Sequence, residues 1–120
     1  MWRNLIDSGA VVFNGTDVPV EDVDPIANFH ASVTRAMSSG SAFHPRQTMT
    51  RMEALRSYTP SAAYAAFEEE IKGSLAAGKL ADVTVHTEDI LTLPDEEVLD
   101  AKVASTIVGG TVVYRADAAR

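Results

Sequence analysis

Asp17 is the residue in this chain best placed to do chemistry. It closes the triplet Gly15-Thr16-Asp17, which Asn14 separates from the apolar run Ala10–Phe13, and it directly precedes Val18-Pro19-Val20. A carboxylate at the end of a buried strand can ligate a metal ion and take a proton from water. An Asp in a Gly-Thr-Asp turn is also explained as a loop cap. The other candidates are weaker. His30, His44 and His86 fall in a helical pattern, a polar loop and an extended stretch, and no His-x-His pair occurs. Metal sites take several convergent ligands, so one carboxylate predicts no tightly held metal in this chain alone. Ser8, Ser32, Ser38, Ser39 and Ser41 have no evident base partner and no nucleophile elbow. Asp24 and His30 do not share a helix face well. Gly73, Gly78, Gly109 and Gly110 do not form a phosphate loop, because no Gly-Lys-Ser/Thr follows a strand.

The rest of the chain must position Asp17. With 120 residues and 46% hydrophobic content, one domain with a modest core is expected. A formal charge of −7 argues against binding a phosphate backbone, which needs clustered Lys and Arg, so no nucleic-acid partner is expected. Cysteine is absent, which excludes disulfides and thiolate metal sites. No apolar run reaches the ~18 residues of a membrane helix, and the N-terminus lacks the pattern of a signal peptide. A cytoplasmic protein with no membrane partner is the expectation.

Local signals divide the chain into elements. Ala10–Phe13 lies between Gly9 and Asn14-Gly15, the pattern of a fully buried parallel strand. Asp24-Pro25 starts a helix, and Ile26, Phe29, His30 and Val33 carry it to about Met37. Ser38–Pro45 reads as a loop. Thr50 and Glu53 have the spacing of a capping box, with a helix to about Tyr58. Thr59-Pro60 opens a second, Ala-rich helix that takes in Phe67 and ends at Glu68-Glu69-Glu70. Lys72–Val85, KGSLAAGKLADVTV, reads as a helix stop, a tight loop turning at Gly73 and Gly78, and entry from near Ala81 into a strand over Val83–His86. Asp82 should bond local backbone amides. A helical turn follows Pro94. Lys102–Val108 and Thr111–Arg115 read as a hairpin around Gly109-Gly110. Ala116–Arg120 reads as a frayed tail.

Four of these stretches carry a resemblance. KGSLAAGKLADVTV resembles the segment by which the amidohydrolase superfamily of metal-dependent hydrolases leaves its catalytic (β/α)8 barrel for a small β-sandwich. FNGTDVPV, Phe13–Val20, resembles the loop after the eighth barrel strand. EALRSYTPSAAYAAFEEE, Glu53–Glu70, resembles the helix pair that follows, and TIVGGTVVYR, Thr106–Arg115, the terminal hairpin of the amidohydrolase-3 branch. The resemblance implies that Asp17 matches a carboxylate beside the catalytic metal, where it serves catalysis and ligation. It implies that Thr16, Val18 and Pro19 border the substrate. It implies a divalent metal, zinc, in the full-length parent, and a small amide-like substrate cleaved at a C–N bond. None of the three histidines matches a ligand position.

A (β/α)8 barrel takes about 250 residues, so the resemblance implies an α/β C-terminal fragment. Residues 1–71 would hold the last barrel strand and its helices, and residues 72–120 the returning sandwich strands. Such a piece should lack turnover on its own. The alternative is a non-catalytic structural or interaction module of enzyme ancestry, its unpaired edges covered by homo-oligomer formation.

Overall fold

The computed structural model describes residues 2–37 and 39–117. Ser38 and the end of the expected tail lie outside the described residues. The elements are four short α-helices and a three-stranded antiparallel sheet: α1 Trp2–Asp7, α2 Pro25–Thr34, α3 Arg51–Tyr58, α4 Pro60–Ala65, β1 Val83–His86, β2 Val103–Val108 and β3 Thr111–Arg115. Two 3-10 segments, Pro45–Gln47 and Asp95–Asp100, lie between them. The second is the helical turn expected after Pro94.

Helix starts follow the local chemistry. The Asp24 carboxylate accepts from Ile26 N at 2.9 Å, and Pro25 occupies the first turn, where its missing N–H leaves nothing unpaired. The capping box at α3 is complete: Thr50 Oγ1 accepts from Glu53 N at 3.2 Å, and Glu53 Oε2 accepts from Thr50 N at 2.7 Å.

Helix ends depart from expectation. α2 stops at Thr34, short of Met37, because Arg35 takes a left-handed conformation with φ 58°. Its guanidinium lies between the rings of Trp2 and Phe43, at 4.5 and 5.3 Å, and Nε donates to Phe43 O. These contacts draw the chain into a turn and reward the early stop. α4 stops at Ala65, so Phe67 and the three glutamates are not helical. Phe67 sits left-handed at φ 59°, Glu68 N donates to Ala63 O, and Phe67 N donates to Tyr64 O. This is a Schellman cap with Phe where Gly is usual.

A further departure concerns Ala10–Phe13, which is not a strand and is not fully buried. No ladder partner lies beside it among the described residues, and Val11 and Phe13 are 52% and 59% exposed. A buried parallel strand exists only between neighbours. Only Val12 of this run packs against the core.

The sheet order is β1-β2-β3, with Val83 opposite Ile107 and Val108 opposite Thr111. Gly109 and Gly110 turn the hairpin, both at positive φ (55° and 80°), as a two-residue turn between twisted strands requires. β1 spans Val83–His86, as the sequence reading places it. Asp82 bonds differently from expectation. Its carboxylate accepts from Gly109 N at 2.8 Å, tying the entry of β1 to the hairpin turn rather than capping its own loop.

The core draws on both halves of the chain. Ile26 and Phe29 of α2, Met49 and Ala54 pack with Ile90, Val98 and Ala101. Arg51 reinforces the junction by donating to Ile90 O and pairing with Asp95. β3 is exposed along its whole length.

Candidate functional site

Asp17 lies in a short turn, Asp17–Val20, that follows the irregular segment 10–16. Val20 N donates to Asp17 O at 2.8 Å, and the Val18–Pro19 peptide is cis, which makes this a type VI turn. Asp17 itself has φ 52°. Asp tolerates that region better than most residues, since its short carboxylate can bond locally. Asp17, Val18 and Pro19 are exposed, and Thr16 is half-buried. The four expected site residues are thus contiguous, on one solvent-facing turn.

The segment leading to this turn is fixed from below. Asn14 N donates to Ser57 O at 3.1 Å, and Asn14 Nδ2 donates to Ser32 Oγ at 3.0 Å. Asn28 Nδ2 donates to Gly15 O at 3.3 Å. Ser32 and Ser57 are each only 1% exposed. From sequence, Asn14 reads as a strand terminator, and the local pattern does not mark Asn28, Ser32 and Ser57 as partners of the loop. One signal was available: Ser32 and Ser57 interrupt apolar helix faces, and a buried hydroxyl needs a partner.

The histidines do not join Asp17 in a ligand set. His30 is half-buried on α2, His44 is exposed and packs edge-on against Phe43 at 4.4 Å, and His86 ends β1. Among the described residues, no group of three or more His, Cys, Asp or Glu side chains could hold a metal ion.

Electrostatic perturbation is found elsewhere. Glu53 is pulled down to about 2, first by the hydrogen bond from Arg3, with the Thr50 hydroxyl and backbone N–H assisting. The same contact raises Arg3. Burial pushes the Tyr58 phenol up; Asn28 lies close enough to offset this in part without reaching hydrogen-bond geometry. These groups serve the fold and not the Asp17 turn.

An apolar groove of about 980 Å³ lies between the helices and β1. Phe29, Leu55, Tyr58, Leu80, Val83 and His86 help line it, and no residue of the Asp17 turn does. Among the described residues, no helix is long and apolar enough to cross a membrane.

Comparison with known proteins gives this geometry a family. YtcJ of Bacillus subtilis (strain 168), named as an amidohydrolase, is 28% identical over 116 residues, covering 94% of this chain and 22% of that protein. The protein LONG AFTER FAR-RED 3 of Arabidopsis thaliana is 32% identical over 115 residues, covering 95% of this chain and 20% of its own length. The N-substituted formamide deformylase of Arthrobacter pascens is 30% identical over 112 residues, covering 93% and 21%. The chain therefore spans about a fifth of the length of these relatives. The model of the amidohydrolase family matches residues 1–114, nearly the whole sequence, and the chain belongs to that family.

Proposed function

We propose that this chain is the C-terminal segment of a metal-dependent hydrolase that cleaves C–N bonds in a small, amide-like, non-peptide substrate, and that it has no turnover in isolation. Residues 1–71 would be the last barrel strand and its helices, and residues 72–120 the returning sandwich segment. The family match over residues 1–114 carries this reading. One relative is named for removing a formyl group from N-substituted formamides, which is C–N cleavage in that protein.

In this reading the Asp17 carboxylate accepts the proton of the attacking water, a role that contributes typically 10²–10⁴-fold. Its exposure on the turn leaves it open to water. Thr16, Val18 and Pro19 border the substrate. A divalent metal, zinc, would belong to the full-length parent. Asp17 alone does not make a metal site. A second reading, a non-catalytic module, draws support from the core shared between the two halves, which favours a unit that folds as one piece.

Two assays test the proposal, and the second separates it from the module reading. The isolated chain, given zinc and a panel of N-substituted formamides and N-acyl compounds, should show no turnover and retain no zinc after dialysis. A chimera, in which this chain replaces its matched segment of the Arthrobacter deformylase, should hydrolyse the formamide. Turnover or near-stoichiometric zinc in the isolated chain would overturn the proposal, and a folded but inactive chimera would favour the module.

A further inference from the structure

Asp17 stands on a segment that is neither strand nor helix, and packing does little to hold it. Val11 and Phe13 are more than half exposed, so only Val12 ties residues 10–13 to the core. Position must come from hydrogen bonds, and these converge on Asn14. Its backbone N–H reaches the Ser57 carbonyl at the end of α3, and its side-chain amide reaches the Ser32 hydroxyl on α2.

The donor pattern is directional. Ser32 gives its own hydrogen to Asn28 O at 2.8 Å, so its oxygen can only accept from Asn14. Ser57 gives its hydrogen to Ala54 O at 2.6 Å, and its carbonyl is left to receive the Asn14 N–H. Asn28 then fixes the next residue by donating to Gly15 O. Asp17 follows Asn14 by three residues, which at full extension span at most about 10–11 Å. Two successive pinned residues therefore set where the Asp17 turn begins.

We infer that Asn14 is the positioning residue of the Asp17 turn, holding it to the buried serines of α2 and α3. The inference builds on the reading of Asp17 as the working carboxylate, but its test does not. An aspartate at position 14 keeps the size of the side chain, removes the donor and sets a second acceptor against the Ser32 oxygen. The turn should loosen while the core stays closed.

The experiment is solvent exchange of backbone amides by NMR on the full ¹⁵N-labelled chain, comparing wild type with Asn14→Asp. The Val20 amide, which closes the turn, should exchange about tenfold faster, the loss expected for one net hydrogen bond. The Phe29 and Ala54 amides should keep their protection. If Asn14→Asp fails to fold, Ser32→Ala removes the same acceptor and should give the same pattern. Unchanged Val20 exchange, or equal acceleration at Val20, Phe29 and Ala54, would overturn the inference. In the deformylase chimera, Asn14→Asp should lower kcat while KM is kept. If Asp17→Asn there leaves kcat unaltered, the reading of Asp17 fails, and the exchange result still decides the role of Asn14.

Discussion

Replacing Gly73 with Ala should destabilise this protein far more than replacing Gly78, although the two glycines lie in one loop and share a backbone conformation. Their φ angles are 86° and 91°. A left-handed conformation costs a residue with a Cβ roughly 1–2 kcal/mol, and both variants incur that. Gly78 incurs nothing more, since an added Cβ meets no atom within 4 Å. At Gly73 the new Cβ would lie 2.6 Å from Ala63 Cβ, 3.0 Å from Thr59 O and 3.1 Å from Pro60 Cα. Carbon atoms prefer about 3.5–4.0 Å, and two of these neighbours are backbone atoms that cannot swing aside. Overpacking of this kind adds about 1–3 kcal/mol. Gly73→Ala should therefore lose about 2–5 kcal/mol, and Gly78→Ala about 1–2 kcal/mol. Urea unfolding followed by circular dichroism, with an unchanged m-value, reads the difference as a shift in midpoint. Ala63→Gly should restore part of the loss in the Gly73→Ala background and none in the Gly78→Ala background. Equal midpoints for the two single variants would refute the claim that α4 packs directly on the Lys72–Val85 loop.

The caps of α3 and α4 offer three further tests. Glu53 titrates at about 2 in the folded chain against 4.5 ordinarily, because Arg3 donates to its carboxylate. The unfolded chain thus binds this proton more readily, so the stability from the contact is whole above pH about 4.5 and is lost as pH falls toward about 2. Melting temperatures across that window should fall for wild type and fall less for Glu53→Gln; parallel curves would show that the pair does not form. Thr50→Ala should cost about 1 kcal/mol by removing the cap, and Thr50→Ser should cost little; equal losses would mean that the methyl group matters and the hydroxyl does not. Phe67→Gly should raise the melting temperature slightly, because Phe67 is 92% exposed and left-handed. A clear fall would show that the ring makes contacts in solution.

What could be read from the sequence was what local chemistry decides. Asp24-Pro25, the Thr50 and Glu53 pair, and Gly109-Gly110 each specify their structure within a few residues, and each forms. Features that depend on distant partners were not legible. The Ala10–Phe13 run has a strand's composition, but a strand needs a neighbour to pair with, and composition does not carry that. The ends of α2 and α4 turn on Arg35 and Phe67 in left-handed conformations, where no glycine marks the break. The partner of Asp82 is a hairpin amide across the sheet. At the candidate site, Asp17 and its neighbours could be picked out by resemblance. The anchoring of Asn14 could not, because Ser32 and Ser57 come to it from two separate helices.

The role proposed for the Asp17 carboxylate in C–N hydrolysis can be read in the deformylase chimera. Formamide hydrolysis should be compared for the chimera and its Asp17→Asn variant, with metal content and melting temperature measured on the same samples. If Asp17 takes the proton, melting should be unchanged and kcat should fall about 10²–10⁴-fold. A folded Asp17→Asn chimera with the same metal content and the same kcat would contradict that role.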